Sequence, residues 1–587
     1  MKFPYFSSTN KTRDYQTSFF GYNHTENCCD GEFYDMKNMS SDLYPVLSQR
    51  KKRGVYPYPA GTGTYQATAL ISKEALCYIS GDKFFINNRA VDNFTVDSLK
   101  GEKTRLISMG AYVIIYPQRQ WVNTENGQSG YIESHFPEDK ETKFEFMLAK
   151  PDGTDWGDIQ KTKPPEDGAN SNSFYLDTSA TPNVVKQYSE TSKAWVSVPT
   201  TYVKIKATDI DQYFDVGDGI EIANITNELI KEFNGFHVVQ SKGKNYITII
   251  GILGETVSVK DVNVKREMPE MDFIVESQNR LWGCKYGLTT EGKVVNEIYA
   301  SKLGDFKNWN CFEGVASDSY VVAVGSDGSF TGAITYQGYP IFFKEECLHK
   351  VFGSVPANYQ IQTTACNGVQ KESEKSLAIV NNSLLYKGLG GIYAYDGSLP
   401  VLASSAFGNV EYDSAVAGAF ANKYYVSLRN VKTGKYEFFV FDTKKSLWHK
   451  EDALHATEFC KDGTNLYYLC ADDDKIHKIF GEDENDEGDL EWYVETGVLG
   501  KDSPQKKYCT KLNARMKLNP MARVSFYAEY DSTGGWQHLC TVEGRTMQSF
   551  NIPIRLRRCD HLRLRIQGKG VVHIHSLSKT MKEGSDI

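Results

Sequence analysis

The sequence predicts an all-β chain built mainly from a β-propeller of about seven blades. Between Asp272 and Gly353, apolar runs of four to eight residues are each bounded by Gly, Asn or Asp, as short strands are. Two four-strand units in about eighty residues match the spacing of propeller blades. Aromatic residues make up 13% of the chain, with 36 Tyr and 31 Phe beside 48 Gly, a mixture of strand and turn residues.

A chain of 587 residues is too long for one ordinary core, so several domains are expected. We predict an extended N-terminal arm (1–65), the first blades (66–149), an inserted small β-barrel module with its linker (150–269), the remaining blades (270–499) and a C-terminal jelly-roll-like β-sandwich (500–587). Six blades is the alternative if the first two share an edge. Residues 150–194 are rich in Pro, Asp, Gly, Asn and Ser, which predicts a long polar connection.

Adjacent aromatic residues recur on the second strand of the predicted blades, as blades packed face to face would require. They are Tyr116, Phe342–Phe343, Tyr424–Tyr425 and Tyr467–Tyr468. Helical patterning is almost absent. The clearest candidate for a helix runs from Thr226 to Asn234, with Gly235 to end it.

The N-terminal arm carries anchoring aromatics between turn-forming residues and ends in the basic run Arg50–Arg53. It is expected either to lie extended on the surface of its own subunit or to cross to a neighbouring subunit. Four consecutive charges are able to touch nucleic acid, but without interleaved aromatics they are more often a solvated turn.

The cysteines and the N-terminus bear on where the protein is made. The twelve cysteines include no CxxC pair, and Cys28 and Cys29 are adjacent, which predicts reduced thiols in a cytoplasm. The first residues lack the apolar core of a signal peptide, and no window reaches the roughly 20 apolar residues of a membrane span. We therefore expect no membrane span and no general secretory route.

Charge is unevenly distributed along the chain. The net charge is −8, but residues 492–587 hold 16 Lys plus Arg against 8 Asp plus Glu, a net of +8, which leaves −16 for residues 1–491. In the stretch RLRRCDHLRLRIQ, arginines alternate with apolar residues, so one face should be buried and the other basic. The predicted partner-facing basic stripe consists of Arg555, Arg557, Arg563 and Arg565.

No catalytic or metal-binding constellation is evident in the sequence. There is no GxSxG, HExxH, P-loop or GxGxxG after a strand, and no paired carboxylates at a spacing that identifies an acid and its partner. The loop GTGTY at Gly61 has no helix behind it to cradle a phosphate. We expect no enzyme activity, no cofactor and no metal.

Three weaker motifs have simpler explanations. The stretch from Asp531 to Trp536 is close to the Asp box of propeller glycosidases, but its Gly and Trp come one position late, as a hairpin turn explains. The acidic loop from Asp472 to Asp489 lacks the ligand spacing of an EF-hand. His573 and His575 share one face of a strand without a third ligand nearby in sequence.

Two stretches resemble tail proteins of tailed bacteriophages. The opening arm GYNHTENCCDGEFYDMKNMSSDLYPVLSQRKKRG resembles the start of such proteins, and QNRLWGCKYG followed by NEIYASKLGDFKNW is similar to their blade signature. The second stretch carries Asn279, Arg280, Leu281, Trp282, Asn308 and Trp309. The order of arm, propeller, inserted barrel and terminal sandwich is similar to that of the nozzle or hub proteins that close phage tails.

This resemblance implies a structural virion protein of the tail, assembled in the host cytoplasm. It implies a homo-oligomeric ring, commonly of six copies, that contacts an adaptor or portal-side ring and tail fibres or other tail proteins. Genomic DNA would pass through its channel without sequence-specific binding. The family includes short-tail nozzles and leaves a hub in a long-tailed particle possible.

Two other functions remain open on the sequence. A receptor-binding or glycan-binding propeller, with possible depolymerase activity, would release sugar from a bacterial surface polysaccharide and lose that activity on mutation of one carboxylate. A cell-surface adhesin conflicts with the expected lack of a signal peptide.

Overall fold

The computed structural model describes residues 11–57, 67–99, 103–137, 141–156, 159–164, 169–481, 487–501, 505–544 and 546–583. These residues form strands, turns and five short 3₁₀ helices, so the predicted all-β class is confirmed. The loop at Gly61 lies outside the described residues. The chain divides into two compact units, one of residues 1–97, 343–348 and 364–587 and the other of residues 98–342 and 349–363.

The N-terminal segment of the first unit supplies six strands within residues 11–57, the part of it that the structure describes. They are β1 (Lys11–Gln16), β2 (Gly21–Tyr22), β3 (Glu32–Lys37), β4 (Met39–Ser40), β5 (Leu47–Gln49) and β6 (Gly54–Val55). The sequence predicts an extended arm here, because the segment has little strand periodicity. The structure instead places all six strands in sheets with strands from the C-terminal third of the chain, a pairing that sequence periodicity does not reveal.

The next two sheets have four strands each. They are formed by β7 (Ala67–Ser72), β8 (Leu76–Ser80), β9 (Lys83–Ile86) and β10 (Arg89–Ala90), and by β11 (Arg105–Met109), β12 (Tyr112–Tyr116), β13 (Gln120–Asn123) and β14 (Ser129–Tyr131). The hairpin turns at Gly81 and at Asn87–Asn88 have positive φ angles of 62°, 47° and 63°. These left-handed conformations suit Gly and Asn at tight hairpins.

The inserted module lies in the second unit, and its described residues contain thirteen strands. They are β15 (Ser134–Phe136), β16 (Phe144–Ala149), β17 (Gln160–Lys161), β18 (Phe174–Asp177), β19 (Val184–Ser189), β20 (Ala194–Ser197), β21 (Tyr202–Lys206), β22 (Gly219–Ala223), β23 (Gly235–Val238), β24 (Ser241–Gly243), β25 (Tyr246–Ile250), β26 (Val257–Val259) and β27 (Asn263–Arg266). Phe136, Phe144 and Phe146 join its hydrophobic core, so the module begins before residue 150.

Within this module, two details differ from the sequence prediction. The stretch expected to be a polar connection forms the sheet β17-β18-β19-β20, in which Trp195 packs edge-on against Tyr175 at 5.0 Å. The expected helix at 226–234 is a turn followed by a 3₁₀ helix, Lys231–Phe233. The Asn227 side chain accepts a hydrogen bond from the Leu229 amide, which competes with helical bonding.

The stretch from Asp272 to Gly353 forms most of two further four-stranded sheets. One consists of β28 (Phe273–Ser277), β29 (Arg280–Leu288), β30 (Val294–Ala300) and β31 (Tyr320–Ala323), the other of β32 (Gly332–Tyr336), β33 (Tyr339–Phe343), β34 (Cys347–Phe352) and β35 (Gln360–Ala365). Trp282 and Phe342 are buried in a shared core cluster.

Three more four-stranded sheets lie in the first unit. Their strands are β36 (Ala378–Val380), β37 (Ser383–Gly388), β38 (Gly391–Tyr395) and β39 (Val401–Leu402); β40 (Tyr412–Phe420), β41 (Lys423–Asn430), β42 (Tyr436–Asp442) and β43 (Leu447–Lys450); and β44 (Ala456–Asp462), β45 (Asn465–Cys470) and β46 (Ile476–Lys478). The N-terminal strand β6 is the fourth strand of the last sheet and pairs antiparallel with β46.

The C-terminal strands form two six-stranded sheets together with the N-terminal segment. These strands are β47 (Glu491–Thr496), β48 (Lys507–Leu518), β49 (Arg523–Tyr530), β50 (Gln537–Glu543), β51 (Met547–Ile552), β52 (Leu562–Lys569) and β53 (Val572–Glu583). The sheet orders are β4-β5-β53-β48-β51, with β1 also paired to β53, and β2-β3-β47-β52-β49-β50. Inward residues of both sheets, such as Met516 and Ile566, share one core.

Candidate functional site

The four predicted arginines do not form one stripe. Arg563 and Arg565 lie on β52, where Leu562, Leu564 and Ile566 alternate with them and are buried. Arg555 and Arg557 are exposed in the connection between β51 and β52. Arginines and apolar residues alternate in sequence from Arg555 to Arg565, but only the second half of this stretch, from Leu562 onward, forms a strand.

Acidic residues on neighbouring strands face Arg563 and Arg565. Glu495 on β47 lies 3.4 Å from nitrogen atoms of both guanidinium groups, and Glu529 on β49 lies 3.7 Å from Arg563. The register explains the arrangement, since Arg565 pairs with Glu495, and Arg563 pairs with Glu529. Alternation within one strand does not identify these cross-strand neighbours, so the sequence overestimates how basic this face is.

One tyrosine and a third carboxylate extend this polar network. The Tyr493 hydroxyl donates a hydrogen bond of 2.7 Å to Asp35 on β3, and the Arg565 guanidinium stacks 4.5 Å from the Tyr493 ring. Burial raises the pKa of Glu495, and Arg565 offsets that shift only in part. The arrangement binds the N-terminal strand β3 to the C-terminal sheet.

An open cleft of about 470 Å³ lies on the outer side of this sheet. Its lining includes Lys37, Tyr493, Arg523, Gln567 and Lys569. The outward positions of the sheet carry as many acidic as basic side chains: Asp35, Glu491, Glu495, Glu529 and Glu543 beside Lys37, Arg523, Arg563, Arg565 and Lys569. Such a balanced face forms specific hydrogen bonds but has no strong field of one sign.

The basic run at Arg50–Arg53 is not a solvated turn. Arg50 and Arg53 are 5% and 8% exposed. Arg53 lies 2.7 Å from Glu451 and 2.8 Å from Asp452, and Arg50 lies 2.7 Å from Glu487. Burial alone would raise the pKa of Asp452, but Arg53 and Arg50 hold that pKa below its ordinary value. These arginines attach the N-terminal segment to the sheet regions around Glu451 and Glu487.

One hydrogen-bonded chain in the second unit has some features of a nucleophile with its base. The His349 Nε2 atom lies 2.8 Å from the Ser326 hydroxyl, and its Nδ1 atom lies 2.9 Å from the Thr363 hydroxyl. His349 is fully buried. The group that orients this histidine is a hydroxyl, whereas the triads of hydrolases use a carboxylate or amide.

The weaker motifs have ordinary structural roles. At Asp531 and Ser532 the φ angles are 54° and 49°, as in a turn, and Ser532 contacts the His561 ring at 2.7 Å. No group of three His, Cys, Asp or Glu side chains able to hold a metal occurs in the described part of the chain. Residues 482–486 of the acidic loop lie outside the described residues. None of the twelve cysteines, all of which lie in the described ranges, forms a disulfide bond.

The sequence was compared with protein-family models and with curated proteins, and the structure with solved structures. No protein-family model matches the sequence, and no curated protein matches it. Among solved structures, the chain is similar to an exo-β-1,3-galactanase from Phanerochaete chrysosporium bound to galactose, at 8% identity and a TM-score of 0.19, over 52% of this chain and 94% of the galactanase. A variant of that enzyme with β-1,3-galactotriose matches at 9% identity and the same TM-score and coverage. None of the helices in the described residues has the length and apolar character needed to cross a lipid bilayer.

Proposed function

We propose that this protein is a structural subunit of a bacteriophage tail, a nozzle or hub ring that forms part of the channel for genome ejection. Two observations support this role. The first is the resemblance of the arm and of the stretch from Asn279 to Trp309 to phage tail proteins, and the second is the arrangement of the four-stranded sheets. In this role the chain catalyses no reaction, and its function depends on the rigidity of its fold.

Seven four-stranded sheets, counted over the described residues outside the inserted module, support a propeller. In the first unit the leading strands of successive sheets are neighbours: β36 contacts β40, β40 contacts β44, and β44 contacts β7. In the second unit, β11 contacts β28, and β28 contacts β32. Leading strands side by side are what blades arranged around a common axis would have. We propose that these sheets are the seven blades and that the paired C-terminal sheets are a jelly-roll-like sandwich.

The observation that carries the proposal is the pairing of β6 with β46. His477 pairs with Val55, and Lys478 pairs with Gly54, so a strand from the N-terminal segment completes a sheet near the end of the repeat region. A strand that joins the two ends of a circular array prevents the array from opening at that point. A closed, stiff wheel suits a channel wall under internal pressure.

The proposed partners follow from this role. We infer a homo-oligomeric ring, with six copies as the expected number, an adaptor or portal-side ring above it and fibres or other tail proteins around it. Genomic DNA passes along the channel, and the virion tail is the proposed location after assembly in the host cytoplasm.

The test is immunogold labelling of tailed particles from cells that produce this protein, with antibodies raised against the purified chain. Gold at the tail, with none on capsids that lack tails, is the expected result. Gold on the host cell envelope together with unlabelled tails would contradict the proposal.

A second candidate, a glycan-binding protein with possible depolymerase activity, is favoured by one polar cleft. This cleft of about 720 Å³ is lined by side chains that suit sugar hydroxyls, including Asn27, Asn409, Glu411 and Asn430. Release of sugar from a bacterial surface polysaccharide, lost in Glu411→Gln, would replace the first proposal with this one.

A further inference from the structure

The outer face of the sheet that contains β48 is strongly basic. Along β48, Leu512, Ala514 and Met516 are buried in the core, and the alternate residues Lys511 and Arg515 are exposed. Lys517 continues the exposed row. Because successive side chains of a strand point to opposite faces, these cations lie together on the side away from the core.

The strand register adds cations from two neighbouring strands. Lys511 pairs with Thr580 on β53, and Thr580 pairs on its other side with Arg13 on β1. Lys11 pairs with Lys582. We call this surface the basic face. It consists of Lys11, Arg13, Lys511, Arg515, Lys517 and Lys582, with His573 and His575 at one end.

No carboxylate balances this basic face. Among the described residues, no outward position of β1, β48, β51 or β53 carries Asp or Glu, and none of the six cations forms an ion pair with an acid. The acid of β1, Asp14, points to the opposite side, where it lies 3.7 Å from Lys579. The other six-stranded sheet differs, since its arginines face Glu495 and Glu529.

Hydrogen-bond donors fill the space between the cations. The outward positions hold Ser576, Ser578 and Thr580 on β53, Asn513 on β48 and Asn551 on β51. Hydroxyl and amide groups beside Lys and Arg are the side chains that contact phosphate oxygens in protein–DNA complexes. The pKa of His573 is lowered by burial and further by Lys517 and His575, as expected in a positive field.

We propose that the basic face binds the phosphodiester backbone of duplex DNA without reading its sequence. Adjacent strands lie about 4.8 Å apart, so the four strands span roughly 15 to 20 Å, close to the width of a duplex. A face four strands wide is too broad to enter the major groove, which is about 12 Å across, so it gives no contact with base edges. This inference is independent of the ring proposed above, because it concerns the isolated chain.

The test is fluorescence anisotropy of the purified chain with two unrelated duplexes of about 20 base pairs, between 50 and 200 mM KCl. Equal affinity for both duplexes is expected. Because each neutralised phosphate contributes about −0.9 to the slope of log K against log salt, four to six contacts give a slope of about −4 to −5.

Two charge-matched triple variants locate the site. Replacement of Lys511, Arg515 and Lys517 by Glu should weaken binding at least about 100-fold, whereas replacement of Arg555, Arg557 and Lys569 by Glu should change it less than about 5-fold. Should the first triple variant fail to fold, the single variants Lys511→Gln and Arg515→Gln should each reduce the salt slope by about 1.

Three results would overturn the inference. The first is no binding at 50 mM KCl, and the second is an equal loss in both triple variants, which would mean a response to net charge alone. The third is competition by poly-glutamate as effective as competition by DNA. That outcome would assign the basic face to an acidic polypeptide instead.

Discussion

Arg53 shows how strongly one buried charge holds the N-terminal segment. Its guanidinium group contacts both Glu451 and Asp452, and all three groups are largely withdrawn from water. Removal of one partner from a buried ion pair leaves an uncompensated charge, which typically costs about 3 to 5 kcal/mol. The attachment of this segment therefore depends on a few side chains.

We expect Arg53→Ala to lower the free energy of unfolding by about 3 kcal/mol, because Glu451 and Asp452 would lose their counter-charge. The measurement is urea unfolding followed by tryptophan fluorescence. Lys51→Ala is the control, since Lys51 is exposed and should change stability by less than about 0.5 kcal/mol. Similar losses in the two variants would contradict the buried ion-pair assignment.

Lys387 is a buried lysine with no carboxylate bonded to it among the described residues. Its Nζ atom donates to the Gln370 side chain at 2.5 Å and to the Gly388 carbonyl at 2.6 Å. Burial lowers its pKa from 10.5 to about 8. Between these two values the unfolded chain binds a proton that the folded chain does not, so stability rises with pH in that window.

We expect the stability of the wild type, relative to Lys387→Met, to increase by about 3 kcal/mol between pH 7.5 and pH 10.5, from a pKa difference of about 2.5 units at 1.36 kcal/mol each. Thermal unfolding of both proteins across this range gives the difference, in which other titrating groups cancel. A difference that does not change with pH would refute the lowered pKa.

At the scale of elements, the short strand β2 lies against β43. Gly21 has a φ of 83°, and a Cβ atom at this position would lie 2.3 Å from the Trp448 carbonyl oxygen. Only a residue without a side chain fits so close to a neighbouring backbone. The contact between β2 and β43 therefore requires both the left-handed backbone conformation of Gly21 and the absence of a Cβ atom there.

We expect Gly21→Ala to accelerate hydrogen exchange in β2 and β3, because the methyl group would push β2 away from β43. Gly81→Ala is a matched control, with a φ of 62° and no atom within 4 Å of the added Cβ. It carries the conformational cost alone, about 1 to 2 kcal/mol. Equal local effects in the two variants would show that the close approach to β43 is not a constraint.

Sequence patterns identified local strands well and long-range partners poorly. The strand runs after Asp272 and the turns at Gly81 and Asn87 follow from local periodicity and turn chemistry, which the chain carries within a few residues. The pairing of β6 with β46 joins residues more than four hundred positions apart in sequence and has no local signature. The neutralised arginines of β52 and the basic face on β48 likewise depend on which strands become neighbours.

At the scale of the whole molecule, the N-terminal segment is part of the C-terminal sheets. Strands β1, β4 and β5 belong to one six-stranded sheet, β2 and β3 to the other, and β6 to the sheet of β44 to β46. Without these strands, apolar residues such as Ile574 and Val494 lose part of their cover, and the edge of β46 is unpaired. Unpaired edges and exposed apolar surface promote aggregation.

We expect a chain that lacks residues 1–57 to be insoluble, because five sheet partners and the strand that completes the β46 sheet are missing. Among the described strands, deletion of residues 1–16 removes the edge strand β1 alone, and it should leave a soluble, folded protein. Size-exclusion chromatography and circular dichroism of the two truncated proteins make the comparison. A soluble, folded 58–587 chain would show that the N-terminal strands are dispensable.

We propose that copies of this chain assemble into a closed ring around a channel. The most direct measurement is single-particle cryo-electron microscopy of the purified full-length protein, with the subunits counted in views along the symmetry axis. We expect rings of one size, with six subunits and a seven-bladed wheel in each subunit. A protein that stays monomeric at micromolar concentration, or whose sheets do not close into a wheel, would contradict it.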